Sequence, residues 1–400
     1  MNQTTTTERP GTLVAGFDNL DLRWLRAKSG AKWRVPPANV LPAWVADMDF
    51  PVAEPIRRRL AALALEGDLG YPDWPDGRTP LREVFSARMG AQHEWHPDCT
   101  QVREFTDVTQ AVQVVLQLAT APGDGVALHT PCFAPFARTI TRMGRRLVPI
   151  PAIDTDDGWV FDTERFAADV AATGCRVLLL VNPHNPTGRV FTEEELRALA
   201  EVAHRHDLLV ISDEIHSDLV YAPHRHLPFA ALGQDVEART VTVTSATKAF
   251  NLAGVRCAVA HVGPSWLRDA LAAQPSDLFG VAGLFGVHAT IAAWTECDEW
   301  LSAAVGYLDD NRRMVADFVA ESLPGVRWHV PEATYLAWLD FRAAGLGDDP
   351  AELVRRHGRV ELSPGPSFNP GGDGFARLNF ATSRRVLRVV LERLGRSVEC

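Results

Sequence analysis

Apolar residues in the middle of the chain come in short, nearly continuous runs of strand length. They are Val126-Ala127-Leu128-His129, Val177-Leu178-Leu179-Leu180-Val181, Leu208-Leu209-Val210-Ile211, Val241-Thr242-Val243-Thr244 and Ala258-Val259-Ala260-His261-Val262. Between the second and third runs, Thr192-Glu193-Glu194-Glu195 has the form of a capping box. Leu196, Leu199, Ala200 and Ala203 follow at helical spacing. Strands that are apolar throughout, separated by amphipathic helices, predict an α/β fold with a mostly parallel sheet covered on both faces. In such sheets ligands bind beyond the carboxyl ends of the strands.

The last third changes pattern. Helical stretches over roughly 287 to 322 precede Thr334-Tyr335-Leu336-Ala337-Trp338-Leu339-Asp340, which reads as a strand. The turn-rich Ser363-Pro364-Gly365-Pro366-Ser367-Phe368-Asn369-Pro370-Gly371-Gly372 leads into Phe375-Ala376-Arg377-Leu378-Asn379-Phe380, and a helix is expected around Arg384 to Leu394. This predicts a large domain over 46–285 and a smaller α+β domain over 286–400, the latter joined by residues 1–45.

Composition narrows the classes. The 400 residues are 46% apolar and 22% charged, ordinary for a globular protein. A formal charge of −10 argues against sequence-independent nucleic-acid binding. No apolar run approaches the roughly 20 residues needed to span a bilayer. The start, with Thr4 to Thr7, lacks the features of a signal peptide and is expected to be a frayed tail. Six scattered cysteines, at 99, 132, 175, 257, 297 and 400, fit neither a disulfide framework nor a zinc motif. Reduced thiols in a cytoplasm are the expectation. The pairs His204/His206 and His224/His226 are expected to be surface loop residues rather than metal ligands.

The chemistry gathers at the strand ends. The Leu208 run ends in Ser212-Asp213-Glu214-Ile215-His216, and the Val241 run is followed by Ser245-Ala246-Thr247-Lys248. A buried amine facing a buried carboxylate suits a Schiff-base lysine with an aldehyde cofactor whose ring nitrogen the carboxylate keeps protonated. A phosphate needs a helix start and hydroxyl or arginine donors. Asp107-Val108-Thr109 opens the helical run Ala111 to Leu118, with Asp107 expected to cap it. Val108, Thr109, Ser245 and Arg256 are therefore candidate phosphate ligands. Asn185, in the turn Asn182-Pro183-His184-Asn185-Pro186-Thr187-Gly188, is placed to bond a ring hydroxyl. His216, three residues after Asp213, is placed to touch the ring.

Asn185-Pro186-Thr187-Gly188, Asp213-Glu214, Ser245-Ala246-Thr247-Lys248 and Arg256, in this order and spacing, resemble the fold-type-I pyridoxal-phosphate enzymes of the aspartate aminotransferase superfamily (class I/II). Trp44-Val45-Ala46-Asp47-Met48-Asp49-Phe50-Pro51, Ser212 to His216, Thr334 to Asp340 and Arg377-Leu378-Asn379 resemble the MalY/PatB-type cystathionine β-lyase branch. The resemblance implies a large domain with a sheet of the seven-stranded type and pyridoxal 5'-phosphate as cofactor. It further implies that Lys248 is the Schiff-base lysine, Asp213 the partner of the ring nitrogen, Asn185 the contact of the ring hydroxyl and Arg377 the clamp for the substrate carboxylate. Tyr71, in Gly70-Tyr71-Pro72, matches the tyrosine that reaches the phosphate of the partner subunit, implying a homodimer with composite sites. Two departures stand out. Thr130-Pro131-Cys132-Phe133 puts phenylalanine where a stacking tyrosine is common, and Asp107 stands where many relatives carry glycine.

The implied reaction is β-elimination from an L-cysteine conjugate such as cystathionine, with Lys248 taking the Cα proton. Transamination of an L-amino acid uses the same residues, and no single position separates the two. A cofactor-binding regulator is the remaining alternative. Residues 1–40 are too short and not basic enough for an added DNA-binding domain, and Lys248 and Asp213 are both intact.

Overall fold

The computed structural model describes residues 10–74, 77–275 and 278–398. The Thr-rich start, expected as a tail, and Cys400 lie outside the described residues. The strands in chain order are β1 (Leu41–Pro42), β2 (Val102–Phe105), β3 (Gly125–Thr130), β4 (Arg146–Thr155), β5 (Gly158–Phe161), β6 (Cys175–Val181), β7 (Leu209–Asp213), β8 (Thr240–Thr244), β9 (Ala258–Val262), β10 (Leu336–Asp340), β11 (Val360–Glu361), β12 (Ser363–Pro364) and β13 (Phe375–Asn379).

The main sheet has the order β2-β9-β8-β7-β6-β3-β4-β5. Its centre is parallel from β4 to β8, while at one edge β9 runs antiparallel to both of its neighbours, β8 and β2. Five of these strands, β3, β6, β7, β8 and β9, are the apolar runs read from the sequence, while β2, β4 and β5 were not read there. The sheet has eight strands where the resemblance implies the seven-stranded type, and the added edge strand is β5. It arises because β4 outruns its pairing with β3 at Pro151 and turns back through Asp156-Asp157-Gly158, so that Ala152–Thr155 pairs with Gly158–Phe161. An Asp-Gly dipeptide is a strong turn signal, and Gly158 adopts φ 132°.

Strand side chains alternate between two cores. Val177, Leu179 and Val181 of β6 pack with Ala111, Val112 and Val115 of the helix Val108–Ala119. Leu178 and Leu180 face Leu196, Leu199 and Ala203 of the helix Glu193–Arg205. Each such fully buried Val or Leu contributes about 1.5–3 kcal/mol. The Thr192 capping box is formed, with the Thr192 hydroxyl accepting from the Glu195 N–H and the Glu195 carboxylate from the Thr192 N–H.

A second, three-stranded sheet runs β10-β13-β12. The N-terminal segment meets the C-terminal elements through the parallel β1–β11 pair. Phe17 packs beside Phe50, Trp300 and Tyr307. The expected boundary at 285/286 falls in the first turn of the helix Leu284–Glu296. That helix meets the helices Glu54–Glu66 and Leu81–His93 through the Arg58–Glu296 ion pair and the Phe85–Trp294 ring contact.

Among the described residues, no helix is long and apolar enough to cross a membrane, and no His/Cys/Asp/Glu group is arranged to hold a metal. One expectation is corrected. His226 is not a surface residue: it is buried, with Nε2 3.0 Å from Glu214 Oε2, because the following turn folds back to let the Phe229 N–H bond the same carboxylate. His204 and His224 are exposed, and His206 is half-buried.

Candidate active site

The parallel strands deliver their carboxyl ends to one rim, and a cavity of about 590 Å³ opens there. Val108, Thr109, Phe133, Asn185, Asp213, His216, Lys248 and Arg256 all line it. They come from stretches far apart in sequence, and the sheet brings them together. Thr106, Asp107, Gln110, Gln113, Ile215, Thr247 and Ala46 are also part of the wall.

Asp213 ends β7 and is almost fully buried, with Oδ1 accepting from the Ile215 N–H at 3.1 Å. Burial pushes its carboxyl up to about 7. Neighbouring Glu214 adds to the rise, while the Ile215 N–H and the Lys248 cation oppose it. Burial likewise lowers the Lys248 amine, reinforced by Arg377 and opposed by Asp47 and Asp213. His216 is pushed down to about 3 by burial and by the cations of Lys248 and Arg377, so it is a neutral imidazole. Its Nδ1 is buried and has no hydrogen-bond partner among the described residues.

Asp213 makes stability depend on pH. Its folded pKa lies above the unfolded value, so the folded state binds the extra proton between about pH 4 and pH 7. The contribution is full below about pH 4 and lost above about pH 7, worth up to about 4 kcal/mol for roughly three pKa units. Denaturant unfolding of the cofactor-free protein, wild type against Asp213→Asn, is expected to show the wild-type advantage shrinking across this window. A difference that stays constant with pH contradicts the assignment.

The phosphate end is built on the helix Val108–Ala119, whose first N–H groups point out of the helix. Asp107 caps it as expected, accepting from the Gln110 N–H at 2.8 Å. Its other oxygen pairs with the Arg256 guanidinium. The two side chains thus neutralise each other at the cavity mouth. Ser245 is not among the lining residues: its hydroxyl donates to the Cys257 carbonyl at 2.5 Å and lies 3.0 Å from Oγ1 of Thr247, which is. From this segment, Thr247 and Lys248 line the cavity. An anionic Asp107 beside a phosphate costs about 1 kcal/mol at partial exposure. Asp107→Asn keeps the cap and is expected to tighten cofactor binding about 5-fold, read by titrating the cofactor-free protein and following visible absorbance.

Arg377 lies on β13, buried, beside the cavity rather than in its wall. Nη1 donates to Asn185 Oδ1 at 2.8 Å, and Nη2 donates to the Trp44 carbonyl and Ser363 Oγ, both at 3.2 Å. Its guanidinium sits 4.8 Å over the Phe368 ring. Nε is buried and has no hydrogen-bond partner among the described residues, a donor open to an anion. Tyr71 is fully exposed and touches none of this.

The segment Trp44–Phe50 crosses the site and is held carbonyl by carbonyl. Trp44 O takes Arg377 and Ser363, Val45 O takes Asn379, and Ala46 O takes Lys248 and Tyr335. Asp47 O takes Lys32 and Asn379, Asp49 O takes Lys28, and Phe50 O takes Asn251. The chain has only three lysines, Lys28, Lys32 and Lys248, and all three donate to this one strap. Sequence reasoning marked the segment and the Thr334–Asp340 strand but gave neither the Ala46 carbonyl nor Tyr335 a task.

The donor set matches an aromatic aldehyde phosphate: helix N–H groups, Thr109, Thr247 and Arg256 at one end, and Phe133 as an aromatic wall. Asn185 and His216 line the same cavity, and the buried Asp213 carboxylate shares it with the Lys248 amine. The model for aminotransferase class I and II matches residues 47–394, and the chain belongs to that family of fold-type-I pyridoxal-phosphate enzymes. Within it, the chain falls in the MalY/PatB branch. It is 35% identical to cystathionine β-lyase PatB of Bacillus subtilis over 97% of both chains. It is 32% identical to the protein MalY of Escherichia coli, over 88% of this chain and 90% of that one. The structure of the PLP-bound C-S lyase from Staphylococcus hominis superposes with a TM-score of 0.88 at 26% identity, covering 96% of this chain and 98% of that one. Pyridoxal 5'-phosphate is the cofactor.

Proposed function

We propose that this enzyme is a pyridoxal-phosphate-dependent carbon–sulfur β-lyase that cleaves an L-cysteine conjugate such as cystathionine to thiol, pyruvate and ammonia. The observation that carries the reading is the meeting, in one cavity, of the Lys248 amine and the buried Asp213 carboxylate, with Arg377 alongside. When bound, the cofactor supplies the aldehyde that takes the substrate amine and the ring that accepts the electrons released at Cα. Asp213 holds the ring nitrogen's proton, and Asn185 Nδ2 and His216 are the contacts of the ring hydroxyl. Val108, Thr109, Thr247 and Arg256 hold the phosphate, and Phe133 stacks on the ring. Arg377 takes the substrate carboxylate, with Nε the free donor. Lys248, its amine lowered by burial, removes the Cα proton. Loss of that proton and of thiolate from Cβ, then hydrolysis, yields the three products.

A homodimer is part of this proposal. Tyr71 and its neighbours Leu65 and Leu69 are exposed apolar side chains on one stretch, consistent with Tyr71 entering a partner's phosphate site. We also propose that the large domain extends through the helix Leu284–Glu296, on its packing, and that the enzyme is cytoplasmic, in keeping with five described free cysteines. A small-molecule amino acid, rather than nucleic acid or membrane, is the partner.

The test is to incubate the loaded enzyme with L-cystathionine and with L-cysteine, adding no 2-oxo acid, and to assay pyruvate with thiol or sulfide. Both should form in large molar excess over enzyme. A single stoichiometric conversion, restarted only by a 2-oxo acid, would assign the site to transamination.

A further inference from the structure

One oxygen in the cavity wall serves two donors. The Ala46 carbonyl accepts from Lys248 Nζ at 2.8 Å and from the Tyr335 hydroxyl at 2.9 Å. Two donors at such distances, each along a lone pair of one carbonyl oxygen, lie roughly 3–5 Å apart. The Tyr335 ring is fully buried, with its centroid 6.4 Å from that of His216. No step of the reaction described above uses this hydroxyl.

Both ends of the arrangement are rigid. The Ala46 carbonyl belongs to the strap whose neighbouring carbonyls are taken by Arg377, Asn379 and Lys32. Tyr335 precedes β10, where Thr334 adopts φ 72° and donates its N–H to the Leu219 carbonyl, while the Tyr335 carbonyl accepts from the Phe380 N–H. The hydroxyl therefore cannot follow Lys248 when the amine moves.

We propose that Tyr335 is a positioning residue for Lys248: its hydroxyl permanently fills one lone-pair direction of the Ala46 carbonyl, which confines the free lysine amine to the cavity side and weakens its hold on that carbonyl. The proposal rests on Lys248 being the residue that takes the Cα proton. A carbonyl already bound by one donor attracts a second less strongly, and most of the loss falls on the charged ammonium. Tyr335 thereby keeps the amine available as a base. The charges facing Lys248 are Asp47 and Asp213, which favour the ammonium, and Arg377, which opposes it; His216 adjoins it. Tyr335 itself faces Asp47, Arg377 and Tyr221. None of these is altered by removing one phenolic oxygen.

The experiment uses cofactor-free protein and needs no turnover. Acetic anhydride labels amines at a rate set by the unprotonated fraction. With only Lys28 and Lys32 as other lysines, peptide mass spectrometry reads Lys248 against two internal references. In Tyr335→Phe the midpoint of Lys248 labelling should rise by about half to one pH unit. In the loaded enzyme kcat should fall about 10-fold with KM nearly unchanged. Site-specific 3-fluorotyrosine at 335 keeps the ring and strengthens the donor. It should move the midpoint down, and it keeps the question answerable if Tyr335→Phe folds poorly. An unchanged midpoint in either variant, or a fall in Tyr335→Phe, overturns the proposal. Turnover surviving in Lys248→Ala would instead sink the assignment of the base, so the two failures are told apart.

Discussion

Lys248→Ala is expected to lower pyruvate formation from an L-cysteine conjugate by at least about 10³-fold while the protein stays folded. General-base removal alone typically costs 10²–10⁴-fold, and Lys248 also carries the covalent link to the cofactor. Neither of the other two lysines is free to substitute. Lys28 and Lys32 are bound to the Asp49 and Asp47 carbonyls, and Lys32 is also 3.2 Å from Asp49 Oδ1. The fold should tolerate the change, because among the described residues the side-chain hydrogen bond lost is to the Ala46 carbonyl, which Tyr335 continues to satisfy. The measurement is kcat beside a thermal unfolding midpoint, with added methylamine as a rescue. Small-amine rescue of a folded variant identifies a missing base. Full activity in Lys248→Ala removes the central residue of the account.

Arg377→Ala carries the second large effect. Its guanidinium is buried, charged and aimed so that Nε is free while both Nη groups are anchored. Removing one partner of a buried charge pair costs about 2–5 kcal/mol, so kcat/KM should fall about 10²–10³-fold, mostly through KM. Arg377→Lys keeps the charge but loses the planar fork and should fall between the two. Because Arg377 also holds the Trp44 carbonyl and Asn185, Tm must be read alongside. A KM unchanged in a folded Arg377→Ala variant would place the carboxylate elsewhere.

How much of this was legible in the sequence differs by kind of residue. Asp213, Lys248 and Asn185 were legible because each follows an apolar run, and carboxyl ends of parallel strands converge. Val108 and Thr109 were legible because Asp107 followed by an amphipathic run marks a helix start. Ser245 was read as a phosphate ligand from its spacing to Lys248, but the bond of its hydroxyl to the Cys257 carbonyl was not legible, because it depends on a segment twelve positions away. His226 looked like a loop residue among Pro223, His224 and Arg225, and only the fold brings Glu214 to it. The Ala46 carbonyl was beyond reach, because a backbone oxygen has no residue type. Its role comes from the path of an irregular strap between Tyr335 and Lys248, which lie 289 and 202 positions away along the chain. Strand β5 was missed because four residues after a turn carry too short a pattern to show a period.

The most direct measurement of the central claim follows the Cα proton itself. L-alanine, which has no leaving group at Cβ, is held with loaded enzyme in D₂O, and loss of its Cα–H signal is followed by proton NMR. Steady exchange is expected with the wild type, exchange reduced at least about 10³-fold in Lys248→Ala, and slower but measurable exchange in Tyr335→Phe. Exchange that persists undiminished in a folded Lys248→Ala variant would contradict the claim.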